Sequence, residues 1–323
     1  MFTNALRSAA GRLYWATPHF LSLVRGKVII LMYHRVIPSA EVESSFVQPA
    51  MYVTPETFEE HLRFLTTHFE LLGFQQLLTK WSVGDWDSSE RYCAITFDDG
   101  WLDNYRYAYP LLRAYAAPAT IFLPTDLVAS GAWLWSDRLG NLLRRRGVGT
   151  PDDWDAMIEE AKPLPDAERT AMIDGIESAV GDQLPSGRRF VDWDEVRDMS
   201  RHGVGFASHT ATHANLARLS GEALDRELRE PLDALRREAV NHVPVLAYPN
   251  GDYTAAVADA ARAAGYRAAV TVRRGLESGA PTDWFQLKRI AVHDEVSGTG
   301  PALALHIGRQ GRFSTPIYKD ARG

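Results

Sequence analysis

Seven short β-rich runs, separated by helical patterns, constrain this chain more than any other feature. They are "VIILMY" (28–33), "CAITF" (93–97), "ATIFLP" (119–124), "GVGFAS" (203–208), "VLAY" (245–248), "RAAVTV" (267–272) and "LKRIAV" (287–292). Between them, "PETFEEHLRFLTTHF" puts Phe58, Leu62 and Leu65 on one helical face, and "GEALDRELREPLDALRREA" does the same with Leu224, Leu228, Leu232 and Leu235. Continuous apolar strands alternating with helices indicate a parallel sheet covered on both faces. Seven such units predict a closed or nearly closed α/β barrel, with any chemistry gathered at the carboxyl ends of the strands. The stretch from about residue 126 to 190 breaks the rhythm, being helical, charged, punctuated by proline and rich in tryptophan (Trp133, Trp135, Trp154). It reads as an insertion lying over one face.

With 323 residues, 46% of them hydrophobic, the chain can bury the core of such a barrel. A net charge of -6 provides no basic field for a nucleic-acid backbone, so no nucleic-acid partner is expected. Cys93 is the only cysteine, and its apolar strand makes it an inert buried thiol. No apolar run reaches the length of a membrane span and no signal-peptide core is visible, which makes a cytoplasmic location the expectation. Residues 1–26 form a separate basic segment, with no acid before Glu41. Arg7, Arg12 and Arg25 are interleaved there with apolar side chains, and Phe2, Leu6, Ala9 and Leu13 fall at helical spacing. That pattern suits peripheral contact with an anionic membrane surface and, equally, a helix that closes the end of the domain. The barrel is assigned to residues 27–300 and a C-terminal tail to 301–323.

Two strand ends carry the chemistry. "TFDDG" sets Asp98 and Asp99 directly after an apolar run. Asp-Asp-Gly is ordinary turn chemistry, but at a strand end inside a pocket two adjacent carboxylates need a cation to stay ionised together. "SHTATH" places His209 and His213 four residues apart, which at helical spacing puts both imidazoles on one face. With Asp99 they make the two-nitrogen, one-carboxylate set that Zn²⁺ accepts while leaving positions open, and that Co²⁺ or Ni²⁺ also suits. One metal explains both motifs.

With these motifs the chain resembles the polysaccharide deacetylases that carry the NodB homology domain, carbohydrate esterase family 4. The match rests on "TFDDG", "SHTATH" and "AYPNGDY" (247–253), supported by "LMYHRV" (31–36) and "VTPETFEEHLRFL" (53–65), and covers about residues 27–296 in order. The resemblance implies an irregular (β/α)7 barrel and metal-assisted removal of acetyl from an N-acetylated sugar of a polysaccharide or glycolipid precursor. Carried onto this sequence, Asp98 is the general base, Asp99, His209 and His213 are the metal ligands, and the backbone N–H of Asn250 holds the oxyanion. The third motif departs from the commoner Arg-x-Pro-Tyr form, so the arginine that orients the base is sought elsewhere, and Arg289 in "LKRIAV" is the candidate. An early Tyr-His, as in the branch with circularly permuted motif order, makes His34 the acid for the departing amine, with His293 and His306 as alternatives. Trp101, Tyr248 and Pro249 are assigned to substrate binding, with Trp101, and in second place Trp133 or Trp135, offering a ring face to a sugar. Trp193 is expected in the core. Two further readings stay open: a hydrolase of the same fold acting on another amide, such as a cyclic imide, and a glycan-binding protein without catalysis.

Overall fold

The computed structural model describes residues 17–311 except 148, 182 and 183, together with residues 11 and 14. Seven parallel strands of a nine-stranded sheet form the barrel: β1 (Lys27–Tyr33), β2 (Tyr92–Phe97), β3 (Ala119–Leu123), β4 (Gly205–Ser208), β5 (His242–Ala247), β6 (Ala268–Val270) and β7 (Ile290–Ala291). β1 to β6 pair in chain order, and β7 returns to pair with β1. Leu287, just ahead of β7, bridges Val270 of β6. The sheet therefore curls into an irregular barrel whose open side is bridged by the segment 287–291. The strand runs read from the sequence are all present, but β6 and β7 are far shorter than "RAAVTV" and "LKRIAV": three residues of β6 pair with β5 and two of β7 with β1.

The double-sided burial that makes these strands read as unbroken apolar runs is visible residue by residue. Val28, Ile30, Ala94, Phe122, Ala207, Val245 and Val270 share one cluster inside the curl. Ile29, Leu31, Cys93, Ile95, Ile121 and Phe206 face outward. There they meet Phe58, Leu62 and Leu65 of α2 (Pro55–His68) and Val196 and Met199 of α8 (Trp193–Arg201). Trp193 packs against this same cluster. Each strand end delivers its next residue to one rim of the barrel.

Two boundaries differ from the sequence reading. Gly300–Gln310, assigned to a tail, is the helix α11, and its Leu303, Ala304 and Ile307 are buried in the main core. At the other end, α1 (Pro18–Val24) buries Phe20 and Val24 in that core, so this part of the basic segment closes the domain. The face formed by Phe2, Leu6, Ala9 and Leu13 lies outside the described residues. No helix among the described residues is long and apolar enough to cross a membrane.

The insertion comprises α5 (Trp135–Arg146), α6 (Pro151–Ala161) and α7 (Asp166–Val180). They share a small core of Leu139, Leu142, Leu143, Trp154, Ile158 and Ile173, joined by Phe46 from the segment after β1. Its returning chain pairs with the TFDDG turn: Phe190 bridges Trp101, the Leu102 N–H donates to the Arg189 carbonyl at 2.7 Å, and the Val191 N–H donates to the Gly100 carbonyl at 3.0 Å. The insertion is thus built into the wall of the rim that carries the TFDDG turn.

Candidate active site

Beyond the last strand residue of β2, the Asp98 N–H still donates to the Tyr33 carbonyl at 3.0 Å, and the chain then turns through two consecutive left-handed residues, Asp99 (φ 71°) and Gly100 (φ 65°). Aspartate tolerates that region better than most residues. Glycine is required next, because a Cβ at Gly100 would lie 2.3 Å from Leu123 Cδ2. The turn reading and the pocket reading of "DDG" are one structure: the turn aims the two carboxylates at different partners.

Asp98 meets Arg289 in a bidentate pair, with both N–O distances 2.7 Å. The guanidinium is 1% exposed and also donates through Nε to the Thr271 carbonyl at 3.0 Å. Burial pushes the Asp98 carboxyl up, but Arg289, joined by His209 and His34, outweighs it and holds the group below its usual value. His34 Nε2 lies 3.9 Å from Asp98 Oδ2. Burial draws its pKa below the usual histidine value, against the pull of Asp98. The chain around His34 is fixed by residues directly after the turn. Asn104 Nδ2 donates to the His34 carbonyl at 2.8 Å, while Asp103 accepts from the Val36 N–H at 2.9 Å and from Arg35 Nε at 2.8 Å.

Asp99, His209 and His213 form the second half of the site. Both imidazole Nε2 atoms are 3.4 Å from Asp99 Oδ1, and the three are the one cluster of three or more metal-ligating side chains among the described residues. The two histidines are not on a helix as their spacing predicts. They bracket a loop after β4 in which Thr210 (φ 69°) and His213 (φ 64°) are left-handed. Glu227, buried on α9 (Gly221–Arg237), holds this loop by accepting from the Ala211 and Thr212 N–H groups at 2.9 Å each and from the Thr212 hydroxyl at 2.8 Å. His209 Nδ1 donates to the Ala247 carbonyl at 2.9 Å, which turns its Nε2 lone pair toward Asp99. Asp99 Oδ1 is buried without a hydrogen-bond partner. Such an orphaned acceptor facing two imidazoles fits a divalent ion of the Zn²⁺, Co²⁺ or Ni²⁺ type.

Other sequence candidates sit elsewhere. Trp101 is 3% exposed and donates from Nε1 to Asp99 Oδ2 at 3.0 Å, with Phe190 and Arg35 packed on its ring. It orients the carboxylate and offers no open face to a sugar. Tyr248 is 1% exposed, stacked on Tyr253, with its hydroxyl on the Phe285 carbonyl. It and buried Pro249 are core around the turn that carries Asn250 (φ 57°) beyond β5. His293 and His306 face each other with ring centroids 6.5 Å apart and line a different cavity from Asp98. In the insertion, Arg189 lies over the Trp133 ring at 3.3 Å and Arg169 over the Trp135 ring at 4.4 Å.

Sequence reasoning missed Arg35, Asp137 and Glu227. Asp137, at the start of α5, lies 3.9 Å from Arg35, the residue stacked on Trp101. Burial pushes its carboxyl up to about 6 against the pull of Arg35, with the Asp99 charge adding to the rise. A legible signal existed for Glu227, a carboxylate among the apolar positions Leu224, Leu228 and Leu232 of α9.

The polysaccharide deacetylase family model matches residues 86–269, more than half of the chain and all three rim motifs from TFDDG to the proline turn. A Bacillus subtilis protein named as a polysaccharide deacetylase, YxkH, is 24% identical over 277 residues, covering 84% of this chain and 74% of its own. Among solved structures, the Streptococcus pyogenes deacetylase PplD in complex with acetate superposes with a TM-score of 0.61 at 21% identity, covering 88% of this chain and 99% of that one. IcaB from Ammonifex degensii gives 0.56 at 17% identity, covering 88% and 97%. A barrel of this form, with its donor cluster and arginine-paired carboxylate on one rim and a family match spanning both, places the chain in the polysaccharide deacetylase family.

Proposed function

We propose that this chain is a metal-dependent N-deacetylase that hydrolyses the acetamido group of an N-acetylated sugar in a polysaccharide or glycolipid precursor. The observation that carries the reading is a carboxylate kept ionised by Arg289 beside a three-donor cluster with an orphaned buried oxygen. A divalent ion held by Asp99, His209 and His213 supplies Lewis acidity for the amide carbonyl and makes water a better nucleophile near neutral pH. Asp98 takes the proton of the attacking water, and its rotamer is fixed by Arg289. The Asn250 N–H is the proposed donor to the developing oxyanion, a contribution of about 3 kcal/mol for preorganised donors of this type. His34 protonates the nitrogen as the C–N bond breaks, releasing acetate and the free amine. The PplD neighbour was solved with acetate, the acid such a reaction releases.

The test is metal content and acetate release by the purified protein, assayed on N-acetylhexosamine oligomers, lipid-linked sugars and sugar nucleotides with and without a chelator. The expected outcome is close to one divalent ion per chain and chelator-sensitive release. His209→Ala should lose both. Asp98→Asn should keep the metal and lose about 10²- to 10⁴-fold in rate, because only proton transfer is removed. Hydrolysis of cyclic imides without acetate release would favour the other-amide reading, and glycan binding without turnover a non-catalytic one.

A further inference from the structure

Beside the C-terminal end of β7 lies a cavity of about 250 Å³ lined by Arg274, His293, His306, Arg309 and Gln310, together with Ala291, and by no residue of the Asp98 site. Its polar groups converge from three elements: the loop after β6, the segment after β7, and α11. Among the described residues no Asp or Glu lines it. Among the described residues neither Arg274 nor Arg309 makes an ion pair with a carboxylate, in a chain whose net charge is -6. His306 donates from Nε2 to the Ala291 carbonyl at 2.9 Å, which leaves Nδ1 as its second polar atom. Burial first, and then the nearby His293, Arg274 and Arg309, draw His306 down to about 4 against the pull of its Ala291 hydrogen bond. The carbonyl end of α11 opposes the field of the two arginines with about half a charge, less than the two guanidinium groups supply. The Gln310 amide oxygen has no hydrogen-bond partner, and a half-turn of the amide would put its NH2 in that place.

We propose that this cavity binds a phosphate group, either free inorganic phosphate or a phosphoryl substituent on a glycan. Two guanidinium forks and two imidazoles approaching from different elements surround a tetrahedral oxyanion better than a planar one. The cavity has room for a phosphate and part of one sugar, and is below the usual size for a larger ligand.

The experiment uses the full chain and inorganic phosphate, followed by NMR of the histidine rings. Saturable shifts of the His293 and His306 signals are expected, with a rise in the pH at which His306 titrates. The Arg274→Gln/Arg309→Gln double variant should bind at least about tenfold more weakly, the order of one lost charge-assisted contact, with circular dichroism and metal content unchanged. N-acetylglucosamine 6-phosphate binding more tightly than phosphate alone would assign a glycan-borne group, and equal or weaker binding a free anion. No saturation by about 10 mM phosphate, a Kd already too weak for a built site, or unchanged affinity in the double variant, would overturn the proposal. The readout is binding, so it is independent of whether the rim site deacetylates sugars.

Discussion

Adjacent residues of one type have opposite surroundings here. Asp98 faces a cation of the protein's own, Arg289, whereas Asp99 faces two imidazoles and leaves an oxygen without a partner. In the proposed reaction this pairing is what would keep Asp98 ionised, and so available as a base, with an ion bound next door. The same reasoning separates His34 from its alternative His293 as the acid. His34 is 3.9 Å from Asp98, while His293 turns to His306. His34→Ala should lower the rate far more than His293→Ala, with metal content the same in both. An inactive His293→Ala with its metal intact would reverse the assignment. At this scale the acids and imidazoles were legible because strand-end motifs quote them directly. Trp101 was misread because an aromatic beside a site looks the same in sequence whether its ring or its N–H is used.

At the scale of elements, the His209–His213 loop shows why spacing alone misleads. A four-residue interval suits a helix, but two left-handed residues and a carboxylate from α9 make a loop do the same work. The partner is tertiary, so the local sequence cannot announce it. Glu227→Ala would strand the buried Ala211 N–H at about 1–3 kcal/mol, free the part-buried Thr212 N–H, and loosen the loop that carries His209 and His213. Its metal affinity should fall about 10- to 100-fold, as is typical when support of a ligand is lost, which a competition titration with a chromogenic chelator would measure. The insertion is the other element with a role of its own, since it brings Asp137 to Arg35 at the rim. If Asp137 accepts from a sugar hydroxyl, Asp137→Asn should raise KM several-fold and leave kcat and metal content alone. Protonation near pH 6 removes the charge that strengthens the carboxylate as an acceptor, so KM of the unmodified protein should rise as pH falls through that value, and the variant should lack this rise.

Across the whole molecule, the barrel and its near-closure were legible because both faces of each strand are buried, whereas the brevity of the closing strand was not, because 287–291 meets β6 and β1 through few pairs. His61 ties α2 into this frame, accepting from the Tyr33 hydroxyl at Nδ1 and donating from Nε2 to the Ser297 carbonyl. Burial draws it down to about 4. The unfolded chain takes up its proton near 6.5 and the folded one only near 4, so stability should fall as pH drops between those values. The loss approaches about 3 kcal/mol, and urea unfolding of His61→Leu should show a flatter pH slope. The closing seam also has a consequence in time. Arg289 lies 191 positions after Asp98, and translation supplies it last of the rim residues. At roughly 5–20 residues per second, a nascent chain holds Asp99, His209 and His213 for several seconds before the guanidinium arrives. A truncated product ending before Leu287 would contain every residue of the donor cluster and lack the guanidinium that pairs with Asp98.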